Sequence, residues 1–311
     1  MLQLKKILVP RDPTYVPDRA VRKAIDLAER TGAEVHLLFA EVLHGDVLEK
    51  SPEGESVDDQ LRSQMMRGVA DMEFDADVHF VIATVCDVLA SAAIDEYAAE
   101  HDIDLIVMGT RGRRGVSRML LGSTAEEVVR TAPCPVLTVR NSESSIAGIM
   151  GVEAILVPID FSDHSNMALH NAKELAALYH ARVDLLHIVE DHLRPTFYDA
   201  ANLYGFDHHS NLKEKVIGEL ETFFENAGGP PCETTFNVSR GHASSEIISF
   251  TEEHDSDMVV MATHGLHGLE HMLIGSVAEK VVRSSPVPVF TVKSFGRSLV
   301  PELHLAAANA V

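Results

Sequence analysis

The chain has little of what builds a disulfide-stapled or thiolate-clamped domain. Its 311 residues include three cysteines, Cys86, Cys134 and Cys232, odd in number, widely spaced and without a Cys-x-x-Cys pair. That usage argues against a disulfide framework and reads as reduced thiols. Long apolar runs are missing as well. None approaches the roughly 18–20 residues that a spanning helix needs. Near the start, Ile7-Leu8-Val9 follows Lys5 and Lys6 but stops at Pro10, too short for a signal-peptide core. The expectation is a soluble, cytoplasmic protein. Basic charge is scarce, with 26 Lys and Arg against 47 Asp and Glu and a net charge of −21. So acidic a surface repels phosphate backbones and anionic membranes at long range, so neither nucleic acid nor membrane is expected as a partner. Solubility or adaptation to salt accounts for it.

Several catalytic signatures are also absent. No Gly-Lys-Ser/Thr occurs, which excludes a Walker A loop, and no Gly-x-Gly-x-x-Gly follows the first apolar run. Gly-x-Ser-x-Gly and His-Glu-x-x-His are missing, and no nucleophile stands in a recognisable set with a base.

What is present is a repeat. Ile7-Leu8-Val9-Pro10-Arg11-Asp12 returns as Ile155-Leu156-Val157-Pro158-Ile159-Asp160, at a shift of 148. Ala20, Leu27, Val35 and Leu37 match Ala168, Leu175, Val183 and Leu185 at that same shift. Further on the shift is 153: Asp104 to Met108 matches Asp257 to Met261, Gly122-Ser123 matches Gly275-Ser276, and Pro133-x-Pro135 matches Pro286-x-Pro288. Order is kept and only the middle of each unit changes length, which is what duplication produces. The length agrees with two domains of about 100–200 residues each.

Each unit alternates short Ile/Leu/Val runs with helix-period segments, and Gly32 follows the first such segment where a C-capping glycine belongs. Continuous apolar runs between helices imply parallel strands buried on both faces. The predicted fold is α/β: two tandem doubly wound domains, each a five-stranded parallel sheet flanked by about four helices. Ligands of such sheets sit beyond the carboxyl ends of the strands. The expected division is domain 1 over 1–140, a linker over 141–151, domain 2 over 152–293 and a C-terminal extension over 294–311. The extension has no counterpart in the first unit. It contacts the opposite unit or supports further dimerisation. Residues 46–59 and 194–211 occupy equivalent places as a lid or a plain insertion.

The most informative segment follows the fourth strand of each unit. The first reads Gly109-Thr110-Arg111-Gly112, nine residues, then Gly122-Ser123-Thr124. The second reads Ala262-Thr263-His264-Gly265, nine residues, then Gly275-Ser276-Val277. Ser123-x-x-Glu126 and Ser276-x-x-Glu279 fit a capping box and mark the following helix start. Free N–H groups and the positive dipole end at a helix N-terminus suit an anion, and glycines allow close backbone approach. An ordinary strand–loop–helix turn is the bland alternative, weakened by the second occurrence at the same spacing.

The pattern Gly-x2-Gly-x9-Gly-Ser/Thr after a strand ending in Val-Met resembles the ATP-binding motif of the universal stress proteins. Asp12 and Asp160 after strand 1 and the Pro-x-Pro-Val last strand resemble that family too, and the likeness covers residues 3–140 and 152–293. It implies an adenine-nucleotide alpha hydrolase-like fold, ATP or another adenine nucleotide with Mg2+ as ligand, and an intrachain pseudo-dimer through the last strands, with a homodimer also open. By position it implies that Pro10, Asp12, Ala40, Met108, Gly109, Gly112, Gly122, Ser123 and Thr124 line one site. Pro158, Asp160, Ile188, Met261, Ala262, Gly265, Gly275, Ser276 and Val277 line the other. Asp12 and Asp160 would touch the adenosine, unless they serve as turn or capping residues. Ala262 departs from the motif glycine, at a cost only if that backbone needs positive φ. Arg11-Asp12-Pro13 and Phe39-Ala40-Glu41 depart in the first unit, and Val88 stands where Gly241 keeps a family glycine. The second unit therefore has the more regular adenine end.

The spacers differ in charge. Arg111, Arg113, Arg114 and Arg118 stand where the second unit has His264, Leu266, His267 and His271. Arg111, Arg114 and Arg118 are candidates to neutralise phosphates, or are simply solvated. The three histidines invite a metal, but their arginine counterparts bind none. His264, His267 and His271 are therefore read as phosphate-facing groups that titrate near neutral pH, with no metal site. Two functions stay open: a nucleotide-binding stress-response module acting through conformation or partners, and an interaction protein whose pockets are empty or hold another small ligand. Slow ATP hydrolysis is a weaker third.

Overall fold

The computed structural model describes residues 2–11, 19–42, 78–110, 121–140, 151–190, 208–264 and 274–300. The first unit contributes β1 (Lys6–Arg11), α1 (Arg19–Thr31), β2 (Glu34–Val42), β3 (Phe80–Asp87), α2 (Ala90–Glu100), β4 (Leu105–Gly109), α3 (Ser123–Thr131) and β5 (Val136–Val139). The second contributes β6 (Ala154–Pro158), α4 (Asp163–Tyr179), β7 (Arg182–Val189), α5 (His208–Asn226), β8 (Thr234–Arg240), α6 (Ala243–Glu253), β9 (Met258–Ala262), α7 (Ser276–Ser284) and β10 (Val289–Val292). Equivalent elements keep the shifts read from the sequence. Four helices are described in unit 2 and three in unit 1; residues 43–77, where the fourth is expected, lie outside the described residues, as do 141–150 of the expected linker.

Within each unit the strands are parallel and doubly wound, β3-β2-β1-β4-β5 and β8-β7-β6-β9-β10. The strand residues alternate between two apolar layers: Ile7 and Val9 enter one, Leu8 the other, all three fully buried. Burial on both faces is why these strands read as continuous apolar runs.

The two sheets are one. β5 and β10 pair antiparallel, Thr138 opposite Val289 and Val136 opposite Thr291, so ten strands form a single sheet. The Thr138 hydroxyl donates to Val289 O at 3.3 Å and the Thr291 hydroxyl to Val136 O at 2.9 Å. Each apolar layer draws residues from both units. Neither last strand is left as an open edge, and the junction is as buried as a strand pair inside one unit.

A polar cluster crosses the same junction between α1 and α4. Asp26 accepts from Lys23 Nζ at 2.9 Å, Arg30 Nε at 3.0 Å and the Tyr179 hydroxyl at 2.7 Å. Burial alone would raise the Asp26 carboxyl; Lys23, Tyr179 and Arg30 more than offset it, and the net shift is downward. Lys23 and Arg30 also lie over the Tyr179 ring, 4.6 and 4.5 Å from its centroid.

The described part of the C-terminal extension lies on the first unit. Gln3 N donates to Leu299 O at 2.8 Å and Arg297 N to Pro133 O at 2.6 Å. The Arg297 guanidinium bonds Asp104 at 3.2 Å and also meets Asp102. Leu299 and Val300 are buried. Of the two alternatives for this segment, contact with the opposite unit is the one observed; residues 301–311 lie outside the described set.

Candidate functional site

In a doubly wound sheet the crevice opens where strand order reverses, here between β1 and β4 and between β6 and β9. Each glycine corner stands at that place. Thr110 N donates to Val139 O at 3.0 Å, and Gly122 N returns to Thr110 O at 2.8 Å. In unit 2, Thr263 N donates to Val292 O at 2.9 Å and Gly275 N to Thr263 O at 2.7 Å. Each spacer is thus pinned shut at its base. Gly112, Arg111, Arg114, Arg118, Gly265, His267 and His271 lie in the spacers, outside the described residues.

The helix that follows begins differently from the expected capping box. The N-caps are Gly122 and Gly275, both extended, with no side-chain cap; Ser123 and Ser276 are the first helical residues, not the caps. The first backbone bonds of these helices run from Glu126 N to Gly122 O and from Glu279 N to Gly275 O. The N–H groups before them have no intrahelical partner. The reason for glycine at the cap is steric. A Cβ on Gly275 would stand 3.1 Å from Thr263 O. The corner brings helix start against strand end, and only a residue without a side chain fits without displacing its neighbour. A glycine cap also leaves the first-turn amides without a side-chain cap, and Ser123 and Ser276 are exposed. This cradle suits a phosphate group.

The other candidates fall into place unevenly. Pro10 pairs with Leu38 in β1, and Pro158 is the last residue of β6, paired with Leu186. Ala40 does not end strand 2; β2 continues to Val42, and Ala40 lies opposite Val85. Ile188 is one residue from the end of β7. Met108 and Met261 are 5% and 6% exposed and belong to the apolar layer with α2, α3, α6 and α7, so only their backbone can meet a ligand. Gly109 and Ala262 are the last residues of β4 and β9, and Ala262 is not among the described residues with positive φ. Alanine costs nothing there. Thr124 and Val277 sit half-buried in the first turn of α3 and α7.

Asp12 lies outside the described residues. Asp160 is described, and its Oδ1 accepts from Ser162 N at 3.0 Å and from the Ser162 hydroxyl at 2.5 Å. Ser162 in turn caps α4 by accepting from Ser165 N at 3.1 Å. The turn role weighed for Asp160 is therefore real. It also fixes the carboxylate at the end of β6.

Two features of this end had no sequence signal. Phe161, between Asp160 and Ser162, has φ +62°, an uncommon conformation for an aromatic residue. Its ring packs on His187 at 4.8 Å and edge-on to Phe223 at 5.6 Å, which holds the strained turn. His187 Nδ1 lies 2.8 Å from Ile159 O and is placed to donate to it, tying the ends of β6 and β7 together. His264, at the end of β9, has Nδ1 3.0 Å from the Thr263 hydroxyl and its ring 6.2 Å from that of His164 in the first turn of α4. The imidazoles of His164 and His264 therefore stand beside the glycine corner of unit 2.

Burial pushes the Cys134 thiol up to about 12, so it is not a nucleophile at neutral pH. No helix among the described residues is long and apolar enough to cross a membrane.

Comparison with known proteins agrees with this geometry. The Universal stress protein family model matches residues 3–140 and again 151–293. The universal stress protein MJ0531 of Methanocaldococcus jannaschii is 34% identical over 149 residues, 44% of this chain and 82% of that protein. The universal stress protein Slr1230 of Synechocystis is 22% identical over 311 residues, covering 93% of this chain and 99% of its own. Among solved structures, a functionally unknown protein, PA1789 of Pseudomonas aeruginosa, superposes with a TM-score of 0.67 at 17% identity, covering 98% of both chains.

Proposed function

The chain belongs to the universal stress protein family, and on that premise we propose that it is an adenine-nucleotide-binding stress-response module, working through ligand-dependent conformation or partner binding. The observation that carries this reading is the doubled glycine corner. In each unit a pinned loop base presents an uncapped helix N-terminus to the crevice at the strand-order reversal. The polyphosphate would lie on the first-turn amides of α3 or α7, with Ser123 and Thr124, or Ser276, beside it. The adenine would lie against the backbone at Ala40 or Ile188, and Asp160 would face the ribose side. Mg2+ is expected to arrive with the phosphates and to offset their charge in so acidic a chain. The domain limits proposed above, 1–140 and 152–293, follow the same repeat.

The two pockets are proposed to differ. Unit 2 has the ordered Asp160–Ser162 turn and the regular β7 end; unit 1 has arginines in its spacer. A second reading, a pocket without nucleotide, is favoured by one observation: Asp160 already has donors in Ser162. The deciding experiment is mass spectrometry of small molecules released by denaturing the purified protein, with thermal-shift titrations of MgATP, ADP and cAMP. Retained adenine nucleotide, or a saturable shift, supports the module. No retained nucleotide and no shift with any of the three selects the second reading.

A further inference from the structure

The residue after each last strand reaches into the other unit. Lys293, directly after β10, is 4% exposed, and its Nζ donates to Ala132 O at 2.7 Å and Val128 O at 3.3 Å. These are carbonyls at the C-terminal end of α3, in unit 1. Its counterpart at the 153-residue shift is Arg140, directly after β5. Arg140 Nη1 donates to Ser284 O at 3.2 Å, at the C-terminal end of α7 in unit 2. Val128 O already accepts from Ala132 N at 2.9 Å, but the last carbonyls of a helix carry the negative end of its dipole, so a cation there is favourable. What is unusual is the source: each unit supplies the cation for the other.

These are the same helices whose N-termini form the glycine corners, and the bonds close into a ring. Val292, next to Lys293, accepts from Thr263 N at 2.9 Å, and Thr263 O accepts from Gly275 N, at the head of α7. The tail of α7 meets Arg140. Val139, next to Arg140, accepts from Thr110 N at 3.0 Å, and Thr110 O accepts from Gly122 N, at the head of α3. The tail of α3 meets Lys293. A cross-unit ion pair, Arg283 to Glu126 at 3.8 Å, braces the two helices. Each helix spans only nine residues, under three turns, so its two ends lie only about 13 Å apart.

We propose that Lys293 and Arg140 are positioning residues that couple the two glycine corners, so that the geometry of each corner is set in part by the opposite unit. The inference builds on the reading of these corners as ligand sites, but the coupling itself can be measured without ligand. Lys293 sits among the half-buried Asp95 of α2, the buried Cys134 and the ring of Phe295, with Glu127 and Arg297 further out. No other described lysine stands at a helix end donated by the opposite unit.

The test is hydrogen exchange on the full chain, comparing wild type with Lys293→Met, Lys293→Arg and Arg140→Met. In Lys293→Met the Gly122 amide should exchange about five- to tenfold faster, although the substitution lies in unit 2 and at the far end of α3. The reference amides of Ile159 and Val183 should hold. Lys293→Arg should restore protection. Arg140→Met, at a half-exposed position that does not threaten folding, should loosen the Gly275 amide to a similar degree. Exchange that changes only at Val128 to Ala132, or equally throughout the sheet, would overturn the coupling. If Lys293→Met does not fold, unchanged Gly275 exchange in Arg140→Met overturns it alone. The release of small molecules and the thermal-shift titrations read the other premise: no retained nucleotide and no shift end the nucleotide reading, while the exchange result still decides the coupling.

Discussion

Replacing Gly275 by alanine is the sharpest perturbation of the proposed site. The backbone tolerates it, because φ is −62° and ψ 144°. The added Cβ does not fit: it falls 3.1 Å from Thr263 O and 3.9 Å from His264 Cα. Helix start and strand end must separate by a few tenths of an ångström, and the 2.7 Å bond from Gly275 N to Thr263 O is the contact that stretches. Losing a hydrogen bond costs about 0.5–1.5 kcal/mol net. Alanine is also a poorer N-cap than glycine, by about 0.5–1 kcal/mol. The sum is about 1–2.5 kcal/mol. At about 2–4 °C per kcal/mol for a domain of this size, Tm should fall by about 2–10 °C. Phosphate binding is affected separately. An amide donating to a charged group is worth about 1.5–3 kcal/mol, so one misaligned donor weakens MgATP at unit 2 by about 10- to 100-fold. Calorimetry should show one site kept and one weakened. Ala262→Gly is the control: that backbone does not need positive φ, so affinity should hold while the looser unfolded chain costs only about 0.4–1 kcal/mol of stability. A Gly275→Ala protein with wild-type Tm and an unchanged isotherm refutes the close-approach argument. Lowered Tm with both affinities intact would make the corner structural only.

Other outcomes follow from the junction between units. Asp26→Asn removes the carboxylate facing buried Lys23 and should cost about 3–5 kcal/mol at pH 7 in urea unfolding. Because the Asp26 carboxyl is held below its ordinary value, its contribution is present above the unfolded value and fades as pH falls through the lower folded one, so the deficit should shrink in acid. Asp95 has the opposite sign. Burial raises its carboxyl to about 6, despite the Thr131 hydroxyl that it accepts, so the folded state binds the extra proton between about 4 and 6 and loses stability over that window as pH rises. Asp95→Asn should therefore stabilise at pH 8 and lose that advantage at pH 4.5, read by thermal unfolding at both. Gly296 has φ +79°, and a Cβ there would stand 2.2 Å from Pro133 O. Gly296→Ala should lift the C-terminal strap from unit 1, speed tryptic cleavage at Arg297 at least about fivefold, and lower Tm, because Leu299 and Val300 leave the core at about 1.5–3 kcal/mol each.

Much of this architecture is legible in the sequence because it is written in local periods. The shifts of 148 and 153 fall where the observed elements repeat, and Gly32 ends α1 with φ +73° as its position suggests. The helix starts one residue earlier than the Ser-x-x-Glu pattern predicts, for a physical reason. Ser-x-x-Glu satisfies the capping pattern, but at Gly275 a Cβ would press to 3.1 Å from Thr263 O, so the corner favours glycine at the cap and serine moves inside. Met108 and Met261 lie at the crevice by chain position, yet strand alternation sends their side chains into the core. Phe161 gave no signal, since a positive φ at an aromatic residue is enforced by the rings of His187 and Phe223 rather than by its neighbours in the chain.

The sequence alone determined that two copies of one parallel α/β unit are present, that each carries a glycine corner after its fourth strand, and that the copies differ in spacer charge. Periodicity and spacing suffice for that, because they act within a few residues. The family resemblance implied that the last strands pair, as β5 and β10 do, but only the tertiary structure decided that Asp26 meets Tyr179, that the tail straps unit 1, and that Lys293 and Arg140 hold helices of the opposite unit. Those contacts join residues more than a hundred positions apart, and no local pattern says which surfaces will meet once the strands have found their order.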